Sequence, residues 1–214
     1  MPTDTFHNLP HEKRERILDA AIEEFAAHSY DTASMSNIAR QAEIAKGSLY
    51  QYFKDKKNLY RYLIELGTEE RQRLMKNLPE PDPHSDLFGY LRWLFLSVVH
   101  FEFQRPHLAR LAYRAFVDEV PFPEMTEELR RRGTTQFFKQ LLSQGFLHGS
   151  VAPNVDTDVA AFLLESAYYQ VGKYVRERLD AKEYALGEKT LLESETLHQI
   201  LDNLMEILTG GMQN

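Results

Sequence analysis

The chain has 214 residues, is 43% hydrophobic and 27% charged, and carries a formal net charge of −7, an ordinary soluble globular composition with room for one moderate domain or two small ones. It contains no cysteine, which excludes disulfides and thiolate metal sites and fits a reducing compartment. Residues 1–8 are polar and lack an apolar signal core, and the strongest apolar run, residues 93–99, is far shorter than the ~20 residues of a membrane span, so a cytoplasmic location is expected.

Apolar residues recur at helical spacing along nearly the whole chain, and an all-α fold of about nine helices is expected. The first helix spans residues 10–28, with Pro10 suited to its first position and Ile17, Leu18, Ala21, Ile22 and Phe25 on one face. A short second helix starts at Ser34 or Ser36, either of which can accept an orphan backbone N–H, and carries Ile38, Ala39 and Ala42 as an inner stripe. Glu43, Ile44 and Ala45 leave space only for a turn before a third helix over residues 46–52, where Leu49 and Phe53 point inward. A fourth helix over residues 56–78 buries Leu59, Tyr62, Leu63, Leu66, Leu74 and Leu78, and Pro79, Pro81 and Pro83 stop it.

A helix over residues 85–104 follows, with Asp86 in its first turn; Arg105 and Pro106 break it, and a short helix runs to about residue 116. Pro121 and Pro123 introduce another helix, for which Gly145 is the expected left-handed C-terminal cap. Asp156 or Thr157 caps the next, which reaches about residue 179, and the last spans residues 191–209 before Gly210 and Gly211. No strand alternation, repeat or low-complexity tract competes with this reading. The layout is a small N-terminal three-helix module joined to a larger helical bundle, with the fourth helix belonging to both.

Residues 34–53 are the most informative stretch. Two short helices folded on each other across a three-residue turn form a helix-turn-helix, whose second helix enters the major groove of DNA. A net charge of −7 argues against that role, but its distribution does not. Within residues 33–62, Arg40, Lys46, Lys54, Lys56, Lys57 and Arg61 face only Glu43 and Asp55, six against two for +4, so the rest of the chain carries −11 to give the net −7. A basic patch on an acidic body can still neutralise phosphates.

The run Arg14-Glu-Arg-Ile-Leu-Asp-Ala-Ala-Ile-Glu-Glu-Phe25, then Tyr30-Asp31, Ile38-Ala39, Lys46-Gly-Ser-Leu-Tyr50, Tyr52-Phe53 and Lys54-Asp-Lys-Lys-Asn-Leu59 resembles the DNA-binding domain of TetR-family transcriptional regulators. The resemblance covers about residues 10–60. It implies an all-helical homodimer that represses transcription at a palindromic operator and releases DNA when a small molecule binds, with a DNA-binding domain over residues 1–58 and a ligand-binding and dimerisation domain over residues 59–214. Three positions depart from the family's usual pattern. Ser29 and Glu43 stand where glycine is common, and Ala45 replaces a frequent serine cap. A non-glycine residue at positive φ costs about 1–2 kcal/mol and a lost cap roughly 1 kcal/mol.

At 100° per residue, Leu49 and Phe53 turn inward, so Gly47, Ser48 and Gln51 fall on the opposite face, where base edges would lie. Gln51 can pair bidentately with adenine, and Ser48 can donate or accept. Gly47 lets the backbone approach closely. Tyr50 and Tyr52 sit on the two flanks; the resemblance implies that they and Lys56 touch phosphates, while partial burial under the first helix is the alternative for Tyr50. Lys46 can reach phosphate or guanine, and Ser34, Ser36 and Arg40 are further candidates on the second helix.

The last two helices carry Val159, Phe162, Leu163, Val171, Leu197, Leu201, Leu204 and Ile207, and the family places its four-helix dimer interface there; internal packing is the alternative. The middle helices are rich in aromatics, and Trp93, His100, Phe103, Arg110, Tyr113, Arg114, Phe137, Tyr168 and Tyr169 are candidates to line a pocket for an apolar or aromatic effector, with Arg110 and Arg114 one turn apart for an anionic group. Core packing is the competing reading for each aromatic. No cofactor and no metal site are expected: the histidines are scattered, and nucleophile-elbow, phosphate-loop and His-Glu-x-x-His motifs are absent from the sequence. A regulator rather than an enzyme is therefore expected, with an activator or a ligand-independent DNA-binding protein of the same fold as the alternative, and an all-helical enzyme as a remote one.

Overall fold

The computed structural model describes residues 2–117, 122, 124, 134–179 and 192–212. Among these there are ten α-helices and no strand: α1 (Asp4–His7), α2 (His11–Ala27), α3 (Met35–Gln41), α4 (Lys46–Tyr52), α5 (Lys56–Met75), α6 (Leu87–Gln104), α7 (Pro106–Val117), α8 (Thr134–Leu147), α9 (Thr157–Arg178) and α10 (Glu195–Thr209). The all-α expectation holds, and the helix that sequence periodicity does not reveal is α1. One turn is too short to show a period.

The helix ends follow local chemistry. Pro10 sits at the N-cap of α2 rather than inside its first turn. Ser34, not Ser36, caps α3, its Oγ accepting the Asn37 N–H at 3.3 Å. Asp156 caps α9 by accepting from both Asp158 and Val159, and Ser194 caps α10 through the Leu197 N–H. Asp86 accepts the Gly89 N–H at 2.8 Å and so closes the start of α6. The fourth predicted helix stops at Met75, three residues short of expectation, yet Leu78 remains buried in the turn that follows. Pro121, Pro123 and Leu191 lie outside the described residues.

Gly145 does not end its helix. It sits inside α8, where a Cβ would come within 2.5 Å of Leu87 Cδ2 and 2.8 Å of Val151 Cγ2, so glycine is there to let α6 and the chain after α8 approach. The left-handed position belongs to Gly149, at φ 77°.

The described residues fall into two compact units, one within Met1–Glu70 and Arg105–Phe122, the other within Arg71–Gln104 and Pro123–Asn214. The first is built on Phe6, Ile17, Phe25, Ile38, Leu49, Phe53, Leu59, Leu63 and Leu111, all fully shielded from solvent. An aromatic chain knits it together: Tyr60 meets Phe25 and Tyr30 edge to face, and Phe122 packs against Tyr30 at 4.7 Å with Lys57 Nζ 4.4 Å from its ring centre. The second unit centres on α6 and α9, whose close approach at Gly172 leaves 3.1 Å between a would-be Cβ and Glu102. Leu91, Phe95, Val99, Phe138, Leu142, Leu164, Val175, Leu197 and Leu201 fill it. The helix α5 runs from the first unit into the second, as the fourth helix was expected to. No helix among the described residues is long and apolar enough to cross a membrane.

Candidate nucleic-acid interface

The turn between α3 and α4 sets the angle of the second helix, and its hydrogen bonds identify it. Ile44 N–H donates to Ala39 C=O at 3.0 Å and Glu43 N–H to Arg40 C=O at 3.2 Å, the paired pattern of a Schellman motif whose C′ residue must be left-handed. Glu43 takes that conformation, at φ 54°. The strain expected of a non-glycine residue there is thus present rather than avoided. Arg16 on α2 braces the corner by donating its Nε–H to Ala42 C=O at 3.0 Å. Its 3.9 Å approach to the Glu43 carboxylate is an exposed pair and adds little. We expect Glu43→Gly to raise the stability of this unit by up to about 1 kcal/mol, because glycine adopts the position without steric cost but loses more chain entropy on folding; chemical denaturation followed by circular dichroism measures it.

The helix α4 coincides with the predicted span and begins at Ala45 with no side-chain cap, as the missing serine implied. Leu49 and Phe53 are completely buried. Lys46, Gly47 and Gln51 are exposed on the other face and Ser48 is partly so. A Cβ on Gly47 would meet nothing within 4 Å, so no contact inside the protein explains the glycine. Ser36 and Arg40 are exposed on α3, and Ser34 is partly buried in its capping role.

The two tyrosines part company. Tyr50 keeps 45% of its surface exposed, whereas Tyr52 keeps only 5%. The cover on Tyr52 comes from α1: Phe6 lies 6.1 Å from its ring and 4.8 Å from that of Phe53, while Lys13 Nζ stands 6.0 Å from its centroid. Thr3 completes this clasp, its backbone N–H donating to Tyr52 C=O and its hydroxyl to Gln51 C=O, each at 2.9 Å. These are two of the orphan carbonyls that every helix C-terminus leaves. Sequence reasoning missed Thr3 and Phe6; a single phenylalanine within a polar N-terminal arm is the one signal it had.

Lys56 also has an internal task. Its ammonium donates to the carbonyls of Asp31 and Ala33 at 3.1 and 3.0 Å and stands 4.6 Å from the centre of the Tyr30 ring. It thereby ties the loop between α2 and α3 to the start of α5. Burial, with Asp55 and Asp31 adding, pushes the Tyr30 hydroxyl above its ordinary pKa, so Tyr30 presents a neutral ring to this cation.

Residues 17–63 match the model of bacterial regulatory proteins of the tetR family, and residues 85–213 match the tetracyclin repressor-like C-terminal domain. A crystal structure of a TetR family transcriptional regulator from Chloroflexus aurantiacus is 41% identical and superposes with a TM-score of 0.88, covering 100% of this chain and 99% of that one. The chain belongs to the TetR family. Its members are transcription regulators that bind DNA and small ligands, not enzymes. Among curated relatives, the HTH-type transcriptional regulator UidR of Escherichia coli is 25% identical over 160 residues, 74% of this chain and 79% of that protein. The fold is shared by FadR from Bacillus subtilis, solved in complex with stearoyl-CoA, with a TM-score of 0.65 at 19% identity over 92% of this chain and 98% of that one.

The TetR-type regulatory region holds the remaining candidates. Trp93, His100 and Tyr168 are buried in the second unit, Phe103 and Tyr169 pack partly buried against its core, and Phe137 is exposed on α8. Arg110, Tyr113 and Arg114 lie on α7, which belongs to the first unit. A residue not anticipated, Arg71 at the C-terminal part of α5, donates to the Tyr168 hydroxyl at 3.1 Å. Among the described residues no group of three or more metal-ligating side chains is gathered.

Proposed function

We propose that this protein is a homodimeric repressor that binds a palindromic operator through α4 and lets go when a small molecule occupies its second unit. One observation carries the DNA half of the reading: α4 hides Leu49 and Phe53 while presenting Gly47, Ser48, Tyr50 and Gln51 on one open face. In this reading Gln51 and Ser48 read bases, Gly47 permits close approach, and Lys46, Tyr50 and Arg40 hold phosphates, with Ser34 and Ser36 at the edge of the contact. The ammonium of Lys56, already satisfied by two carbonyls, acts chiefly by fixing the loop before α3, and Tyr52 contributes only its rim. The DNA-binding part is placed at residues 1–58, and ligand binding and dimerisation at residues 59–214.

The dimer reading rests on apolar side chains left open by packing within the chain. Ala160, Val171 and Val175 of α9 and Leu197 and Leu201 of α10 are buried inside the bundle, whereas Val159, Phe162, Leu163 and Ile207 remain exposed. A pair of recognition helices is what gives one short reading head enough contacts, since dimers of this motif bind two half-sites about one helical turn apart. Ligand control follows from the continuity of α5. A ligand that favours one disposition of α5 shifts the spacing of the two heads, and only by as much as its affinity differs between the two states.

The test is selection of a bound sequence from random duplexes, followed by mobility-shift titration of variants against it. We expect Gln51→Ala to flatten discrimination at an adenine by about 1–3 kcal/mol, with the fold intact. Gly47→Ala should weaken every DNA while leaving thermal stability unchanged or raised by up to about 1 kcal/mol. An unaltered ranking of operator variants by Gln51→Ala would falsify direct readout by that residue.

A further inference from the structure

Among the described residues Arg71 has no carboxylate partner. Three other positive side chains of the second unit pair with acids: Lys139 with Asp158 at 2.9 Å, Arg92 with Asp202 at 2.6 Å, and Arg176 with Glu102. Among the described residues Arg71 makes one hydrogen bond, to the Tyr168 hydroxyl, and stands 5.9 Å from the centre of that ring; its buried Nε–H has no acceptor there. A buried donor left without an acceptor costs about 1–3 kcal/mol, and more on a charged group.

The surroundings of Arg71 are aromatic and largely buried. Tyr168 is buried against Phe95, Phe138 and Tyr169. Tyr169 shares a hydrogen bond with Thr134, and burial holds its hydroxyl far above the ordinary tyrosine range despite that bond and the nearby Arg71. Tyr90, whose hydroxyl is raised by burial, by Glu80 and by Tyr168, packs at 5.3 Å on Trp93. Trp93 is only 7% exposed, and its indole N–H likewise has no acceptor among the described residues. The carboxylate near this cluster, Glu165, accepts from Thr135 and forms no ion pair with Arg71.

We infer that Arg71 is the anchor for a single carboxylate on the effector, with Tyr168 holding the guanidinium in place and the Phe95, Phe138, Tyr90 and Trp93 rings receiving an aromatic or alkyl body. The inference rests on the reading that a small molecule controls this regulator. A carboxylate is favoured over a phosphate ester because the cluster offers one guanidinium and holds Glu165 close by, which suits one negative charge and repels two. A planar guanidinium also matches a carboxylate bidentately.

The protein carries one tryptophan, so Trp93 emission reports binding at this cluster. Full-length protein is titrated with benzoate, phenylacetate, octanoate and hexadecanoate, each beside its primary amide, and with octyl phosphate. The expected result is that at least one acid perturbs Trp93 emission, binding about tenfold or more tightly than its amide, and octyl phosphate no better than the amide. Arg71→Gln should cost that acid about tenfold and leave the amide unchanged, with Arg71→Lys recovering part of the loss. Tyr168→Phe, which releases the guanidinium without removing it, should weaken the acid by a smaller factor and serves if Arg71→Gln does not fold. The inference is overturned if no acid perturbs Trp93, if amide or phosphate matches the acid, or if Arg71→Gln binds the acid as wild type does. Operator release is measured separately: an acid that binds through Arg71 without altering DNA affinity sinks the ligand-control reading alone, whereas an uncharged compound that releases DNA sinks only the carboxylate anchor.

Discussion

Phe6→Ala is expected to destabilise the N-terminal unit by about 3–5 kcal/mol, the range for truncating a fully buried phenylalanine. Phe6 has no exposed surface and meets Tyr52, Phe53 and Tyr62 at ring distances of 4.8 to 6.1 Å. Its loss removes the lid from Tyr52 and loosens the Thr3 bonds that satisfy the last carbonyls of α4. A seven-residue helix has no stability of its own, so α4 holds its orientation only through such contacts. Hydrogen exchange at the amides of residues 49–53 should therefore accelerate, and affinity for a selected operator should fall further than affinity for unrelated duplex. Phe6→Leu, closer in volume, should cost less than half as much. If the α4 amides exchange at wild-type rates in Phe6→Ala, the clasp has no part in positioning the reading helix.

Placing glutamates at Phe162 and Ile207 together should leave each chain folded yet monomeric. Both side chains are open in the single chain, at 62% and 79% exposure, so the change adds no strain within it and surface substitutions of this kind shift folding by only about 0.5 kcal/mol. In a two-fold symmetric interface every substitution counts twice, and each buried apolar side chain contributes about 1.5–3 kcal/mol. Four lost contacts and four introduced charges exceed what a micromolar dimer can absorb. Sedimentation should show a monomer, and operator affinity should fall by about a hundredfold or more, since a lone head reads half the palindrome. A dimer that survives the double substitution puts the interface on another face.

Much of the reading head was legible because helical periodicity is local. Leu49 and Phe53 are one turn apart, and their burial follows from the wheel without knowing what covers them. A serine cap at Ser34 or Ser36 and the absent cap at Ala45 were readable for the same reason, since a cap involves residues three apart, and the structure selects Ser34. Tyr50 and Tyr52 have equal claims on the wheel. Only the return of Phe6 onto α4 separates them, and no period spans that distance. Gly145 shows the same limit: a glycine near a helix end can serve a left-handed cap or a close contact, and the side chains of Leu87 and Val151 decide which. The charge of Lys56 suited a phosphate, but the carbonyls of Asp31 and Ala33 reach it first.

What the sequence by itself determined is the helix-turn-helix, its family, its inward and outward faces and the apolar character of the last two helices, all of which depend on residues near one another in the chain. What only the tertiary structure decided is which groups the fold consumes and which it leaves available. Tyr52 and Lys56 are drawn into internal contacts, Phe162 and Ile207 stay open, and Arg71 meets the Tyr168 hydroxyl. Availability depends on partners brought in from distant segments, because burial and hydrogen bonding are settled by three-dimensional neighbours and not by spacing along the chain.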